Sequence, residues 1–170
     1  ALDATAGFDT FDAAVLEFDL TPASSTVALD VVWASEEYPE SPGSEYNDSA
    51  IVQVGAQRCL LPGSQQISVS GVNGGNELVD PVNPALFLDN EGGTRDTEFD
   101  GLTSVIHCTF AVTPGTPTHV LLAVGDSTDG SIDSALFIGG SFVNSAPTAD
   151  AGPNLAGSEG TPIEIAGVVT

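Results

Sequence analysis

Acidic side chains gather in three segments of the chain, at residues 34–49, 96–101 and 125–134. Each segment lies at the end of a strand-like pattern or in a loop. Hard oxygen ligands grouped at one edge of a β-fold suit Ca²⁺, which takes about six to eight oxygens at about 2.3–2.6 Å. The sequence therefore predicts a calcium site. Its predicted ligands are Glu36, Glu37, Asn47, Asp48, Asp100, Asp126, Asp129 and Asp133.

The third acidic segment places its aspartates around Gly130, which permits a sharp bend in the loop. Its spacing is not that of an EF-hand loop. The alternative interpretation is a solvated acidic loop, which is what charge runs usually form. Local repulsion favours the metal, because Glu36 and Glu37 are adjacent and a cation near Asp48 would relieve the crowding of like charge.

The overall charge limits the partners of the chain. Its 170 residues include 24 acidic side chains and only 2 basic ones, which gives a formal net charge of −22. Such a surface repels phosphate backbones and anionic lipids, so nucleic-acid binding and attachment to an anionic membrane face are excluded. The sequence has no apolar run of about 18 residues, so no membrane insertion is predicted. With 41% hydrophobic residues, the chain can still build a core.

Two features are typical of an exported protein. The chain starts at Ala1 and contains no methionine, which predicts a processed chain whose secretion signal has been removed. The predicted location is therefore extracellular or at the cell surface. In that setting Cys59 and Cys108 are expected to form one disulfide that closes a loop of about 50 residues. Two buried free thiols are the alternative.

The residues that could support catalysis do not form a recognisable site. The chain has no G-x-S-x-G motif, and no nucleophile signature surrounds either cysteine. His107 and His119 are isolated, and lone histidines are more often structural or exposed than catalytic. Glu36 and Glu37 are neighbours at a strand end, so they point to opposite faces and do not form the pair needed for glycoside hydrolysis. The sequence therefore predicts that the protein is not an enzyme.

Period-two alternation and short apolar runs dominate the pattern, as expected for β-strands. The predicted strands cover residues 14–20, 27–33, 51–54, 67–69, 102–112, 120–124 and 135–138. Residues 84–88 allow one turn of helix. Short strands separated by Gly and Pro predict an all-β fold, namely a two-sheet antiparallel β-sandwich of jelly-roll type.

The composition changes after residue 143, which suggests a tail outside the sandwich. We divide the chain into an N-terminal extension (1–6), a β-sandwich domain (7–143), a linker (144–158) and a tail strand (159–170). In the tail strand Ile163, Ile165 and Val169 share one face. One strand does not make a domain. The tail therefore pairs back on its own sandwich, begins a module that is cut off here, or pairs with another molecule.

The chain also contains five motifs in order: GFDTFDAAVLEFD at 7–19, WASEEYPE at 33–40, SEYNDS at 44–49, FDGLT at 99–103 and GDSTDGSIDSALF at 125–137. Together they resemble the choice-of-anchor L domain, a family of exported microbial proteins whose surface anchors vary. The resemblance covers about residues 7–143 and implies an extracellular β-rich module without an assigned reaction. Residues 146–153 and 159–161 are similar to the opening of a PKD-type Ig-like repeat, of which only the first strand is present.

These features predict a secreted, calcium-stabilised structural sandwich that assembles with copies of itself into extracellular or cell-surface filaments. A linker of about 15 residues extends up to roughly 50 Å. The tail strand can therefore reach an edge groove of a neighbouring copy, as in donor-strand complementation, and such a head-to-tail contact propagates as a filament. The alternative function is a calcium-dependent adhesion module that binds surface glycans or another partner.

Overall fold

The computed structural model describes residues 9–139, together with the backbone of Ala149–Asp150 and Val168–Val169. The predicted N-terminal extension, the rest of the predicted linker, and the tail residues Ile163 and Ile165 lie outside the described residues. Val169 is paired with Ala149 in a two-residue antiparallel ladder.

The regular secondary structure of the described residues is almost entirely β. In chain order they are β1 (Thr10–Leu20), β2 (Thr26–Ser35), β3 (Ser49–Val54), β4 (Gln57–Arg58), β5 (Ile67–Ser68), β6 (Phe87–Asp89), β7 (Gly101–Thr103), β8 (Ile106–Ala111), β9 (Thr118–Ser127), β10 (Ser134–Gly139), β11 (Ala149–Asp150) and β12 (Val168–Val169). A 3₁₀ turn at Pro62–Ser64 separates β4 from β5.

Ten of these strands form two antiparallel sheets. The first sheet has the order β1-β9-β3-β4, and β5 also pairs with β3. The second sheet has the order β10-β2-β7-β6, and β8 also pairs with β2. The two sheets pack face to face, which confirms the predicted all-β sandwich. The finer prediction of a jelly-roll connection stays a prediction.

The core lies between the sheets and follows the alternation in the sequence. In β2, Leu29, Val31 and Trp33 are at most 1% exposed and face the first sheet. From the other side they meet residues of β3 and β9 such as Val52 and Val120, which are equally buried. At about 25 cal/mol per Å² of apolar surface removed from water, this contact supplies the main driving force for the sandwich.

The predicted strand at 102–112 is interrupted in the structure, so the prediction of one continuous strand is wrong. It divides into β7 and β8, which pair in succession with β2. The interruption changes which side chains face the core: in β7 Thr103 is buried, whereas Leu102 is only half-buried. At this point the backbone N–H of Trp33 donates to the hydroxyl of the inward-facing Thr103 over 3.0 Å.

The segment at 84–88, where the sequence allows a turn of helix, instead leads into a strand. Two backbone bonds form a turn there, from Leu86 to Asn83 (2.9 Å) and from Phe87 to Pro84 (3.2 Å). The chain then enters β6, which pairs with β7.

A disulfide joins the two sheets and confirms the predicted pairing. Cys59 follows β4 of the first sheet and Cys108 lies in β8 of the second, with their Cα atoms 5.4 Å apart. Cys108 is 2% exposed, so the bond forms part of the core.

We expect that replacing both cysteines, Cys59→Ala with Cys108→Ala, lowers the free energy of unfolding. The native crosslink spans a sequence separation of 49 residues, and the chain-entropy model gives about 4 kcal/mol for such a loop. Urea unfolding followed by tryptophan fluorescence measures the loss, since Trp33 is the single tryptophan. An unchanged midpoint would contradict the expectation.

Candidate metal centre

The fold brings acidic residues from distant parts of the chain to one end of the sandwich. Asp48 directly precedes β3 and lies beside Asp126 of β9, since the register pairs Ser49 with Gly125. Asp133 directly precedes β10 and sits across from β2 at the same end. Strand pairing therefore positions these carboxylates, as the sequence predicts for side chains at strand ends.

Asp48 is the most buried carboxylate of this end, with 0% exposure. One of its oxygens accepts the N–H of Ser127 over 2.9 Å, and the other accepts the hydroxyl of Ser134 over 2.7 Å. Its side chain also shares a hydrogen bond with Asp126. Because Ser127 ends β9 and Ser134 begins β10, the carboxylate ties the two sheets together.

Glu37 directly precedes Tyr38, which forms a hydrogen-bonded pair with Trp33. The indole N–H of Trp33 donates to the hydroxyl of Tyr38 over 3.2 Å, and this hydroxyl donates to the carbonyl of Val72 over 2.6 Å. Gly101 lies under the ring of Tyr38, where a Cβ would overlap it. The locked tyrosine holds the chain so that Glu37 is 6% exposed.

Burial and like charge act together on these acids. Burial, which is the largest cause, and the negative charges of Asp48, Asp133 and Asp12 together raise the pKa of Asp126 to about 7. Burial is also the main cause that raises the pKa of Glu37 and the pKa of Asp48. The charge of Asp129 adds to both effects. In water, Glu37, Asp48 and Asp126 would be ionised at neutral pH. In the protein, the free energy of ionising each of them is higher.

The sequence analysis did not identify Asp12 as part of this end. Asp12 lies in an irregularity of β1, between Phe11 and Ala14, and has a φ of 43°. Its carboxylate lies against Gly130, where a Cβ would overlap it. Gly130 is therefore needed for this close approach. The one signal in the sequence was the loss of strict alternation at 12–14.

The acidic residues at this end of the sandwich interact through their charges or through hydrogen bonds. We call them the acidic cluster, which comprises Asp12, Glu37, Asp48, Asp126, Asp129 and Asp133. Glu40 adds its charge to Glu37 from outside the cluster. Asp129 and Asp133 belong to the loop that joins β9 to β10. In that loop the carboxylate of Asp129 accepts the N–H of Ser131 over 3.1 Å.

Three further predicted ligands are engaged in backbone contacts nearby. Glu36 accepts the N–H of Asp133 over 3.2 Å, and the side-chain oxygen of Asn47 accepts the N–H of Ser70 over 2.7 Å. Asp100 accepts the N–H of Asn90 through its backbone carbonyl over 2.7 Å. The assignment of these three residues as ligands stays a prediction.

The basic residues make their contacts elsewhere. Arg58 donates to the side chain of Gln53 over 3.1 Å. Gln53 lies near the other end of β3 from Asp48, about 17 Å away along the strand. Arg95 donates to the backbone carbonyl of Asp89 over 3.2 Å. His107 pairs with Asp30 over 2.6 Å.

The donor chemistry of the acidic cluster suits a hard cation, because its ligating atoms are carboxylate oxygens. Between residues 9 and 139, however, no three acidic, histidine or cysteine side chains already stand in an arrangement that could hold a metal ion. Asp48 accounts for part of this, since both of its oxygens accept hydrogen bonds within the protein.

Without divalent cations, we expect stability to fall as the pH rises from about 4 to about 7. The folded state holds the proton of Asp126 up to about pH 7, whereas the ordinary pKa of the side chain is 3.8. The folded state therefore binds more protons in this window, and the free energy of unfolding decreases as they are lost. The raised pKa values of Glu37 and Asp48 act in the same direction.

Melting temperatures measured in EDTA at about pH 5 and about pH 8 test this expectation. Asp126→Asn should melt higher than the natural chain at the upper pH and show a smaller difference between the two conditions. Glu77→Gln removes one charge from an exposed loop residue and serves as the matched control. A natural chain that melts higher at the upper pH would contradict the expectation.

Comparison with known proteins assigns the domain. The family model described as the choice-of-anchor L domain matches residues 1–143. Searches of curated proteins and of solved structures give no match. The family match ends before the tail, so the similarity of residues 146–161 to a PKD-type repeat stays a prediction.

The family gives the general role. It comprises structural, surface-associated modules rather than enzymes, and it implies an extracellular or cell-surface protein. In the part of the chain that the structure describes, no helix has the length and apolar character needed to cross a membrane. The matched region covers the whole described sandwich, including the acidic cluster, and the chain therefore belongs to the choice-of-anchor L domain family.

Proposed function

We propose that this protein is a calcium-stabilised structural module of extracellular or cell-surface assemblies, in which copies join by exchange of the C-terminal strand. The proposal of calcium binding rests on three buried carboxylates at the junction of the two sheets. These are Glu37, Asp48 and Asp126, and each is at most 6% exposed. Carboxylates in this position repel one another and resist ionisation unless a cation or a proton compensates them.

Calcium would be held by carboxylates of the acidic cluster, namely Glu37, Asp48, Asp126, Asp129 and Asp133. Each bound ion cancels two units of negative charge, which relieves the repulsion that raises the pKa of Asp126. Asp129 and Asp133 lie on the loop that connects the first sheet to the second. An ion bound there stabilises the contact between the sheets, and binding to the folded state alone raises stability by mass action.

A structural role is favoured over recognition of glycans because few of the described aromatic side chains reach the surface, where they could stack on sugars. Trp33 and Tyr38 are at most 1% exposed, and between residues 9 and 139 the clearly exposed aromatic side chains are Phe11 (44%), Tyr46 (36%) and Phe137 (50%). Self-assembly is supported by the alternating tail sequence and by the open sheet edges of β1 and β10.

Calcium should raise the melting temperature of the chain relative to EDTA. A concentration of about 100 times the dissociation constant adds about 2.7 kcal/mol to the free energy of unfolding. The double variant Asp126→Asn/Asp129→Asn should lose most of this response, whereas Glu77→Gln should keep it. The calcium proposal fails if the natural chain melts at the same temperature in EDTA, in calcium and in magnesium.

Electron microscopy of the purified chain tests assembly. We expect filaments in calcium, fewer in EDTA, and none after deletion of residues 159–170. The strand-exchange mechanism is wrong if the truncated chain forms the same filaments. Self-assembly itself is wrong if the full chain stays monomeric in calcium at high concentration, as measured by light scattering.

A further inference from the structure

In the described part of the chain, the sandwich is open along one side. β1 is an edge strand of the first sheet and β10 is an edge strand of the second. Both lie on the same side, because β9, the neighbour of β1, continues through a short loop into β10. Between the two strands runs an apolar groove of about 200 Å³, which we call the edge groove. Its principal lining residues are Ala14, Leu16, Leu122, Val124, Leu136 and Ile138.

Several lining residues occupy core positions that no described part of the chain covers. Leu16 is paired with Leu122, which is 3% exposed and faces the core, so Leu16 faces inward as well. Ile138 is likewise paired with the buried Val31. Yet Leu16 is 54% exposed and Ile138 is 41% exposed. Inward-facing apolar side chains of this size are normally buried, so the core between β1 and β10 lacks one strand.

The edges of the groove also present backbone. Among the described ladders, β1 pairs with β9 alone and β10 with β2 alone. An edge strand offers a row of N–H and C=O groups to an incoming segment. A strand that enters can pair with one edge and place every second side chain into the groove.

We infer that the edge groove accepts residues 161–170 of a second copy of this chain, an inference that rests on the proposed self-assembly. The sequence of this segment, TPIEIAGVVT, places Ile163, Ile165 and Val169 on one face and Glu164 on the other. The apolar face fits the apolar lining, and the glutamate faces solvent. The seven residues from Ile163 to Val169 extend over roughly 23 Å, comparable with the inward-facing part of β1.

Two observations favour the second copy over the same chain. Within one chain, Val168–Val169 pair with Ala149–Asp150 and not with either edge of the groove. In addition, β10 ends at Gly139, opposite Asp30 and at the far end of the strand from the acidic cluster. The linker that follows contains Pro147 and Pro153, and prolines in linkers favour an extended spacer.

Engineered cysteines test the location of the tail. Both natural cysteines form the native disulfide. A crosslink between two engineered cysteines therefore shows that their positions are in contact. The variant Leu16→Cys/Ile165→Cys, oxidised in calcium, should give a ladder of covalent dimers and higher oligomers on non-reducing gels. The ladder should grow with protein concentration. Glu17→Cys/Ile165→Cys is the matched control, because Glu17 is paired with Leu121 on the outer face of β1, and it should give little crosslinking.

The other outcomes are distinguishable. A crosslinked monomer from Leu16→Cys/Ile165→Cys would show that the tail of the same chain fills the groove, which overturns the inference. A crosslink from Leu16→Cys/Leu2→Cys instead would assign the groove to the N-terminal segment. If no crosslink forms but the same sample contains filaments, the groove is not the acceptor and self-assembly still holds. If neither forms, the proposed self-assembly is wrong as well.

A second variant blocks the groove without depending on crosslinking. Leu16→Glu places a charge among the apolar lining residues, and since Leu16 is already 54% exposed, the melting temperature of the monomer should change little. Filaments should be lost. Leu78→Glu alters a loop residue that is 74% exposed and should leave filaments intact. Normal filaments from a folded Leu16→Glu variant would overturn the inference.

Discussion

The carboxylate of Asp48 fixes the end of the sandwich on which the rest of the site depends. It is fully buried, and its two oxygens accept one hydrogen bond from the end of β9 and one from the start of β10. A buried charge is tolerated only where such bonds replace the lost water. Because the bonds come from different sheets, they also set where the chain crosses from one sheet to the other. The loop that carries Asp129 and Asp133 is anchored at both of its ends in this way.

The same crossing places the acidic cluster at the mouth of the edge groove. Asp12 lies on β1, and Asp133 immediately precedes β10, so each edge of the groove ends in a carboxylate of the cluster. Both of these carboxylates act on Asp126. The site and the groove are thus two parts of one side of the molecule.

The sequence predicted the sandwich well because burial of one sheet face leaves a period-two signal. Trp33, the last residue of the predicted strand at 27–33, is fully buried, and the strand ends carry the acids where expected. The break between β7 and β8 could not be predicted, since it occurs at a bond from Trp33 to Thr103 across 70 residues. The role of Asp12 was also hidden, because it arises from an irregular strand and from contact with Gly130. For Asp12 the trace in the sequence is a local break in alternation, which does not say which residue it contacts.

The scarcity of basic residues affects how readily proteases outside the cell can cleave the chain. Proteases that cut after lysine or arginine find only Arg58 and Arg95 in the whole chain. Arg95 lies in an exposed loop within the segment that the Cys59–Cys108 disulfide closes. A cut there leaves the two pieces covalently joined through the core. The chain is therefore poor in cleavage sites for this class of enzyme, and the site in the exposed loop is bridged by the crosslink.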